Sequence, residues 1–403
     1  MEDDVLIVGG GLTGSLLALL LGRAGMHSTI IEANPAPPER EPESTDPRAL
    51  TLTQATRNIL ESVDVWRRLP TERIGRFEHM EVWDEAGSGR VRFDCETVGA
   101  GELGYVVEQP VLQAALDRIT DVHPGITFLR GVRVQQLQYE GERAEVTLDD
   151  GRRLNAALIV AADGIHSPTR ELAHIDYRFH DYRQQAVACV VRTELPHDRT
   201  ARQRFLKNGP LAFLPLPDPH DCGIVWSTEP GHARELLDMA AEDFQRTLGE
   251  AFEYSLGKIL DSGPRGGFPL GRAQAECYCR GRLVLIGDAA HCIHPLAGQG
   301  ANMGFLDAAS LAEVLTAARD RKRDIGGHAV LRKYERWRRG ENYLMMMVLE
   351  GFKILFENET RPVSLLRNLG MNAFDSVPVI KNRIMRRAMG LEGDLPAVAR
   401  RGE

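Results

Sequence analysis

The feature that most constrains the fold is the stretch LIVGGGLTGSLLALLLGRAGMHSTIIEANP, residues 6–35. A short β-branched run ends in glycines, a helix-period apolar segment follows, and STIIEA closes the unit, which predicts strand, helix, strand. Gly9, Gly11 and Gly14 form GxGxxG at the turn between the first strand and the helix. This pattern indicates a dinucleotide-binding βαβ unit, although the same spacing also occurs in glycine-rich turns that bind no ligand.

Each glycine of this turn has its own predicted task. Gly9 allows the tight turn, Gly11 lets the backbone approach a pyrophosphate, and Gly14 lets helix and strand pack closely. The start of the helix directs free N–H groups and partial positive charge at the phosphates. Glu32, which ends the second strand, can accept hydrogen bonds from an adenosine ribose and repels a 2′-phosphate. The turn therefore favours NAD or FAD over NADP.

Two further loops follow predicted buried strands. In LIVAADGIHSPTR, Asp163 and Gly164 come after a strand, and Ser167 and Arg170 complete DGxxSxxR, a pattern that on its own is also ordinary turn chemistry. In LVLIGDAAHCIHPLAGQGANMGFLDAASLAEVL a strand runs directly into Asp288. Open α/β sheets place ligands at the carboxyl ends of their strands, so Asp288 is a candidate partner for polyol hydroxyls.

A helix is predicted to begin close to Asn302. The backbone N–H groups of Gly300, Ala301 and Asn302 then point from the new helix toward any group that carries negative charge. A reduced flavin ring is such an anion.

The three patterns GxGxxG, DGxxSxxR and GDxxHxxxPxxGxGxN, in this order, resemble the FAD-dependent aromatic hydroxylases of the p-hydroxybenzoate hydroxylase fold. The segments ARQRFLKNGPLAFLPLPDPHDCGIVWS, LRKYERWRR and RRAMGLEGDLP are most similar to the ubiquinone-biosynthesis branch of that family, and within it to the 2-octaprenylphenol 6-hydroxylase group. The resemblance spans most of the chain. It implies an α/β fold with a Rossmann-like FAD-binding domain, an inserted antiparallel-sheet substrate domain and a helical C-terminal region.

Length and patterning agree with that architecture. A chain of 403 residues exceeds what one hydrophobic core usually organises, so two closely joined domains are expected. The predicted boundaries are a discontinuous FAD-binding domain at 1–75, 100–178 and 270–335, a substrate-binding β-sheet domain at 76–99 and 179–269, and a helical region at 336–403.

The resemblance also implies which residues hold the cofactor. The glycine turn and Glu32 meet the ADP half of FAD. The loop that begins at Gly287 and Asp288, called here the GD loop, meets the ribityl chain, and the start of the following helix meets the pyrimidine edge of the flavin. One proline borders the reacting face, and the acid of DGxxSxxR lies near the pyrophosphate and helps arrange the nicotinamide donor. The full set of implied cofactor residues is Gly9, Gly11, Gly14, Glu32, Arg48, Gln109, Asp163, Asp288, Pro295, Gly300, Ala301 and Asn302.

Two members of that set have equally plausible ordinary readings. Arg48 and Gln109 occupy positions where the family often contacts FAD, yet an exposed arginine and a glutamine at a helix start need no ligand to explain them.

The activity that the resemblance implies is FAD-dependent hydroxylation of a polyprenylated phenol in ubiquinone biosynthesis, through a flavin C4a-hydroperoxide. O2 is the co-substrate, and NADPH or NADH is expected to dock transiently as reductant, since no second GxGxxG follows a strand. No acid–base residue is assigned. One alternative is another flavoenzyme on an apolar substrate, a prenyl reductase or a halogenase, although the WxWxIP signature of flavin halogenases is absent. A second alternative is a non-catalytic subunit of a lipid-biosynthesis assembly.

A polyprenylated phenol needs a long apolar cavity with a few polar groups at the ring. The resemblance places the wall of that cavity in the strands LAFLPLP and CGIVWS, where Phe213, Leu214 and Pro215 are either substrate contacts or ordinary core residues.

Charge and cysteine usage limit the other partners. A formal net charge of −8 argues against nucleic acid, which needs a concentrated basic face. Six scattered cysteines and an acidic start without a secretory leader favour reduced thiols and a cytoplasmic protein. His291, Cys292 and His294 lack the paired spacing of a zinc site, so no metal is expected.

The chain from Tyr343 onward combines apolar spacing with many arginines and lysines. This basic amphipathic segment fits peripheral contact with anionic lipid or docking to another ubiquinone-biosynthesis protein, and it fits a helical cap over the FAD domain equally well. Homo-oligomerisation is also expected. The basic residues concerned are Arg361, Arg367, Lys381, Arg383, Arg386 and Arg387.

Overall fold

A computed structural model describes residues 3–35, 46–85, 87, 89–293, 298–357, 375 and 377–400. Its described strands form three sheets, which are called here the first, the small and the large sheet. The strands are β1 (Asp3–Val8), β2 (Ser28–Glu32), β3 (Ala49–Leu52), β4 (Ile74–Phe77), β5 (His79–Asp84), β6 (Arg90–Asp94), β7 (Gly104–Glu108), β8 (Ile126–Arg130), β9 (Val134–Glu140), β10 (Arg143–Leu148), β11 (Arg153–Ala161), β12 (Tyr177–Thr193), β13 (Thr200–Leu206), β14 (Gly209–Pro215), β15 (Asp221–Thr228), β16 (Ile259–Ser262), β17 (Gly266–Ala275), β18 (Cys279–Arg280), β19 (Leu283–Leu285) and β20 (His291–Cys292).

The helices frame these sheets, and short 3₁₀ turns connect several elements. The α-helices are α1 (Leu12–Arg23), α2 (Gln54–Ser62), α3 (Gln109–Thr120), α4 (Pro168–Leu172), α5 (Pro230–Asp238), α6 (Ala241–Ala251), α7 (Gln299–Asp320), α8 (His328–Glu357) and α9 (Pro378–Ala388).

The first sheet has the strand order β18, β19, β11, β1, β2, β8, and β10 and β9 extend it beside β11. Strands β19, β11, β1, β2 and β8 run parallel to one another, as the predicted strand–helix–strand unit requires. The apolar run of β1 is completely buried between helices, with Val5, Leu6 and Ile7 at 0% exposure. Continuous apolar sequence is typical of a parallel strand that is covered on both faces.

The large sheet has the order β20, β17, β12, β15, β14, β13, β5, β6, with β16 beside β12. Its pairs are antiparallel except for β13 with β5. The small sheet, β3, β7 and β4, is antiparallel as well. The mixed α/β fold predicted from the sequence is confirmed, whereas the exact domain boundaries stay a prediction.

The first sheet encloses the main hydrophobic core together with α1, α3 and α7. A second core lies under the large sheet, where α5 and α6 cover side chains such as Cys189, Phe213 and Trp226. Within the described part of the chain, no helix combines the length and apolarity that crossing a membrane requires.

Candidate functional site

One large cavity, of about 1770 Å³, joins the carboxyl ends of the first sheet to a face of the large sheet. Glu32, Asp163 and Asp288, one from each predicted motif loop, all line it. Pockets for a single small molecule typically measure roughly 300–1,000 Å³. The cavity therefore has room for a dinucleotide and a second ligand together.

The glycine turn uses its three glycines for different physical reasons. Gly9 has a φ of +104°, and a Cβ added there would lie 2.3 Å from the carbonyl oxygen of Ala162. A Cβ added at Gly14 would lie 2.0 Å from the carbonyl oxygen of Gly9. Gly11, in contrast, has an ordinary φ of −70°, and apart from its chain neighbours no described residue has a heavy atom within 4 Å of a Cβ added there. Gly9 and Gly14 are thus required by packing, whereas Gly11 keeps space open in the cavity.

The Glu32 carboxylate braces the glycine turn from the end of β2. Its Oε2 accepts a hydrogen bond from the backbone N–H of Gly10 at 2.7 Å. Its Oε1 accepts from the backbone and side-chain nitrogens of Asn34, at 2.8 and 2.9 Å. Each carboxylate oxygen can accept more than one hydrogen bond, so Glu32 can still bind a hydroxyl in the cavity.

The residues of DGxxSxxR lock one loop to the next. Asp163 accepts hydrogen bonds from the Ser167 hydroxyl and from the backbone N–H of Thr169, the latter at 3.0 Å. The Arg170 guanidinium is 3% exposed, stacks 3.7 Å from the Tyr177 ring centre and donates to the Ala289 carbonyl at 3.0 Å. Since Ala289 follows Asp288, Arg170 positions the GD loop against the loop of Asp163.

Asp288 projects into the cavity from the GD loop, where its backbone carbonyl accepts a hydrogen bond from the Tyr177 hydroxyl at 2.9 Å. The surrounding protein raises the pKa of the Asp288 carboxyl, because burial disfavours its charged form; Asp307 adds to the rise, and nearby His291 opposes it. No protein side chain donates to the Asp288 carboxylate among the described residues. The carboxyl group is therefore available to a ligand.

A fully buried ionic cluster, formed with residues of α7 and α8, holds the GD loop in place. Asp307 of α7 is 0% exposed and accepts from the Gly287 N–H at 3.1 Å, from the His291 ring at 2.5 Å and from Arg338 Nε at 2.8 Å. Asn342 donates to the same carboxylate at 3.0 Å and accepts from Arg338 at 2.7 Å. Burial alone would raise the pKa of Asp307, but His291 and Arg338 outweigh it and lower the pKa to about 2.

The start of α7 reaches the cavity only in part. Gly300 and Ala301 line it. The Asn302 side chain instead makes internal hydrogen bonds: its oxygen accepts from the Thr53 N–H at 3.0 Å and its nitrogen donates to the Thr51 carbonyl at 2.8 Å. Asn302 thus fixes the small sheet to α7, and its own side chain is not free to bind a ligand.

The remaining predicted cofactor residues fall in different places. Gln109 lines the cavity at the start of α3. Arg48 lies outside the lining and pairs with Asp46, with 3.0 Å between Nε and Oδ1. Pro295 and His294 lie outside the described residues.

The large sheet supplies an apolar wall of the cavity. In β14, Pro210, Ala212 and Leu214 face the cavity. Phe213 faces the opposite side, where it is 1% exposed and stacks on Phe252 with 3.9 Å between ring centres. Successive side chains of a strand point to opposite faces. Of the three predicted substrate residues, Leu214 therefore lines the cavity, whereas Phe213 and Pro215 do not.

Two C-terminal helices close the other side of the cavity. Leu344, Met345, Val348 and Leu349 of α8 contribute to the lining. Three apolar side chains of α9 and the residue that follows it do the same, namely Ile384, Met385, Ala388 and Met389. The helical cap that was one reading of the sequence is therefore present in these helices.

The residues on the side of the cavity formed by the three motif loops fit FAD. At Gly11, Gly164 and Gly300, which all line the cavity, an added Cβ would meet no heavy atom within 4 Å among the described residues beyond its chain neighbours, so the backbone leaves open space there. The first turn of α1 has no side-chain cap, so its N–H groups are available to phosphate oxygens. Two carboxylates, Glu32 and Asp288, suit the hydroxyls of the ribose and of the ribityl chain.

Sequence reasoning did not identify the supporting cluster or the polar groups of the wall. Asp307 is the one acidic residue within the apolar run NMGFLDAASLA. A single acid in such a run indicates a buried carboxylate that is paired with other polar groups. Gln203, in ARQRFL, lines the cavity from β13 at 8% exposure. Its side of the strand becomes evident only when the partner strands are known.

Comparison with known proteins gives a consistent result. The family model described as FAD binding domain matches residues 2–343. The 3-demethoxyubiquinol 3-hydroxylase of Escherichia coli strain K12 is 34% identical over 389 residues, which cover 96% of this chain and 98% of that protein. Ubiquinone hydroxylase UbiL of Rhodospirillum rubrum is 36% identical over 393 residues, with 96% and 89% covered. The crystal structure of p-nitrophenol 4-monooxygenase PnpA from Pseudomonas putida DLL-E4 shares the fold, with a TM-score of 0.77 at 19% identity and coverage of 96% and 99%.

Proposed function

The chain belongs to the FAD binding domain family and is an FAD-dependent monooxygenase, and from that premise we propose that it hydroxylates the ring of a polyprenylated phenol in ubiquinone biosynthesis. The observation that carries the proposal is the single cavity that connects the three motif loops to the apolar wall. A dinucleotide at the loops and a prenylated ring at the wall would then meet inside one cavity.

The chain's own groups would bind the cofactor in three places. The open backbone at Gly11 and the start of α1 would hold the pyrophosphate, because they combine free N–H groups with space. Glu32 would accept from the adenosine ribose, and Asp288 from the ribityl chain. Gly300 and Ala301 would meet the pyrimidine edge through backbone N–H groups.

Bound FAD, once reduced by NADPH or NADH, supplies the activation of O2. The protein must orient the phenol ring and exclude water from the reacting space. The apolar rows of the large sheet and the side chains of α8 and α9 suit both tasks, since they surround the cavity with hydrocarbon. No proton-transfer residue is required by this arrangement.

The proposal is tested by identifying the phenolic compound that accumulates in cells of the source organism when the protein is absent. We expect ubiquinone to fall and a prenylated phenol that lacks one ring hydroxyl to accumulate; both are measured by mass spectrometry of lipid extracts. The structure of the accumulating phenol also identifies the ring carbon, and with it whether the chain acts like the 2-octaprenylphenol 6-hydroxylase group. Unchanged ubiquinone without such an intermediate would contradict the proposal.

We propose in addition that α8 and α9 contact the membrane surface at the mouth of the cavity. Leu344, Val348 and Ile384 line the cavity and are also 44%, 45% and 46% exposed, so the lining continues onto the outer surface there. Further exposed apolar side chains lie on the same two helices or at their start, namely Tyr343, Met347, Val377 and Val379. A prenyl chain could pass from lipid into the cavity along the apolar side chains that line its mouth.

Charge supports the membrane proposal less than apolar area does. Arg386, Arg387 and Lys381 each pair with a carboxylate, at 2.6, 3.1 and 3.0 Å, so they are partly neutralised. Arg361 and Arg367 lie outside the described residues. Contact through buried hydrocarbon is therefore expected to dominate over attraction to anionic headgroups.

Vesicle co-sedimentation tests the membrane proposal. Val379 is 80% exposed on α9, and Val379→Asp should reduce binding to phosphatidylglycerol vesicles several-fold, because a charge replaces an inserted apolar group. The matched control is Val122→Asp, since Val122 is 74% exposed after α3 and belongs to another face. Equal loss in both variants, or none in either, would contradict the role of α9. Homo-oligomerisation stays a prediction that analytical ultracentrifugation of the same samples tests.

A further inference from the structure

The cavity wall of the large sheet carries one polar side chain in its central row. Residues that are paired across β6, β5, β13, β14 and β15 form this row. In order across the sheet they are Val91, Val82, Gln203, Ala212 and Val225, and all five line the cavity. Gln203 therefore lies in the middle of an otherwise apolar row.

The Gln203 amide is not committed to a partner within the part of the chain that the structure describes. Its side chain is 8% exposed and makes no hydrogen bond to any described residue. The neighbouring arginines of β13 are different: Arg202 donates to the His197 carbonyl at 2.8 Å, and Arg204 donates to the Ala251 carbonyl at 2.6 Å. Because Gln203 lines the cavity, its amide is open to the cavity interior, where a polar group of a ligand can take the place of solvent.

The position of Gln203 can be measured from β3, which is held to the start of α7 by the hydrogen bond from Asn302 to the Thr51 carbonyl at 2.8 Å. Gly223 approaches β3, since a Cβ added at Gly223 would lie 3.1 Å from the Cβ of Ala49. Gly223 pairs with Leu214, and Leu214 lies two residues from Ala212, the partner of Gln203. At roughly 3.4 Å per residue, the row of Gln203 lies about 7 Å along the strands from Gly223, and Gln203 is two strands further across the sheet at about 4.8 Å per strand, so roughly 12 Å separate it from the point where the large sheet meets β3. That distance leaves room for an aromatic ring between Gln203 and β3.

We propose that the side-chain amide of Gln203 hydrogen-bonds the ring oxygen of the phenol and thereby determines which ring carbon faces the flavin. This inference rests on the proposed function. An amide suits the task because its oxygen can accept from a phenol hydroxyl and its N–H₂ can donate to a phenolate. The apolar residues on both sides of Gln203 then hold the hydrocarbon part of the ring and the prenyl chain.

The test combines a protein change with a ligand change. 2-Geranylphenol and geranylbenzene, which lacks the ring oxygen, are titrated into the FAD-loaded protein while the flavin absorption spectrum is followed. Wild type should bind the phenol about 3- to 10-fold more tightly than the hydrocarbon, as one net hydrogen bond predicts. Gln203→Leu should bind both equally. Gln138→Leu, the same change at an exposed site on β9, should retain the wild-type preference.

The outcomes separate this inference from the proposed function. If Gln203→Leu prefers the phenol as strongly as wild type does, the role of Gln203 is overturned. If Gln203→Leu does not fold, Gln203→Met, an apolar variant of similar length, gives the same test. Wild-type protein that takes up FAD but responds to neither compound contradicts the proposed function itself. An unchanged dissociation constant for FAD in the variants is the further expected result, since Gln203 is assigned to the substrate alone.

Discussion

At the scale of single residues, the glycine turn shows two kinds of requirement that look identical in sequence. Gly14 has no room for a side chain, because its Cβ would collide with the Gly9 carbonyl at 2.0 Å. Gly11 has room in the protein, and only a ligand would fill the space that its missing side chain leaves. Substitution by alanine should therefore separate folding from cofactor binding.

Gly11→Ala should leave the protein folded and weaken FAD at least tenfold. The cost to the free energy of unfolding should stay below about 1 kcal/mol, since alanine replaces glycine at a helix N-cap. Gly14→Ala, the control for steric damage, should destabilise the apo-protein by about 1–3 kcal/mol or more. Urea unfolding of the apo-proteins and FAD titration measure the two effects. Tight FAD binding by Gly11→Ala would contradict the position assigned to the pyrophosphate.

Asp288→Ala should lower FAD retention, because it removes an acceptor from the cavity in the loop expected to hold the ribityl chain. Loss of a hydrogen bond to a charged acceptor corresponds to roughly a 10- to 100-fold rise in the dissociation constant. Asp150→Ala, at an exposed turn outside the cavity lining, provides the control. Full flavin occupancy after gel filtration of Asp288→Ala would exclude the assignment.

Residue-scale prediction from sequence succeeded where one local rule decides the geometry. The tasks of Gly9 and Gly14 follow from turn and packing chemistry that any strand–helix turn of this spacing shares. The sequence did not show which face of β14 lines the cavity. Both faces of LAFLP are apolar, and the elements that pack on each face decide which of them borders the cavity. From the sequence, Phe213 is therefore as plausible a substrate contact as Leu214.

At the scale of elements, the buried cluster around Asp307 holds α7, α8 and the GD loop in one arrangement. Its partners come from three segments that are distant in sequence: Gly287 and His291, Asp307 itself, and Arg338 with Asn342. Sequence patterning predicted the helices, but not this connection, since side-chain pairing between distant elements leaves no local periodicity.

Asp307→Asn should destabilise the protein by about 3–5 kcal/mol at neutral pH, because Arg338 then remains buried without a counter-charge. Asp320→Asn, the same change on an exposed part of α7, should have little effect. Both are measured by urea denaturation. If the two variants unfold at the same urea concentration, the cluster does not hold the helices together.

The same cluster predicts a particular acid dependence. The folded pKa of Asp307 is about 2, below its ordinary value of 3.8, so its carboxylate stabilises the fold above pH 3.8 and loses that contribution as the pH falls toward 2. Between pH 5 and pH 3, wild type should lose about 1 kcal/mol more than Asp307→Asn, by the linkage relation. Parallel stability profiles of the two proteins would show that Asp307 is not selectively stabilised as a carboxylate.

At the scale of the whole molecule, one cavity joins parts of the chain that each have a different chemistry. The first sheet offers N–H groups and carboxylates, the large sheet offers apolar rows, and α8 and α9 close the space between them. The sequence motifs predicted that the three loops converge, because parallel strands end at one edge of their sheet. They could not predict the closure by α8 and α9, which depends on how the C-terminal helices pack against distant strands.

The most direct test of the central claim is the source of oxygen in the product. FAD-loaded protein is supplied with NADPH or NADH, 2-geranylphenol and ¹⁸O₂, and the phenol is recovered for mass spectrometry. We predict a hydroxylated geranylphenol that carries one ¹⁸O atom in its new ring hydroxyl. Nicotinamide oxidation with only hydrogen peroxide formed and the phenol recovered unchanged would contradict the claim that this cavity brings flavin and phenol together.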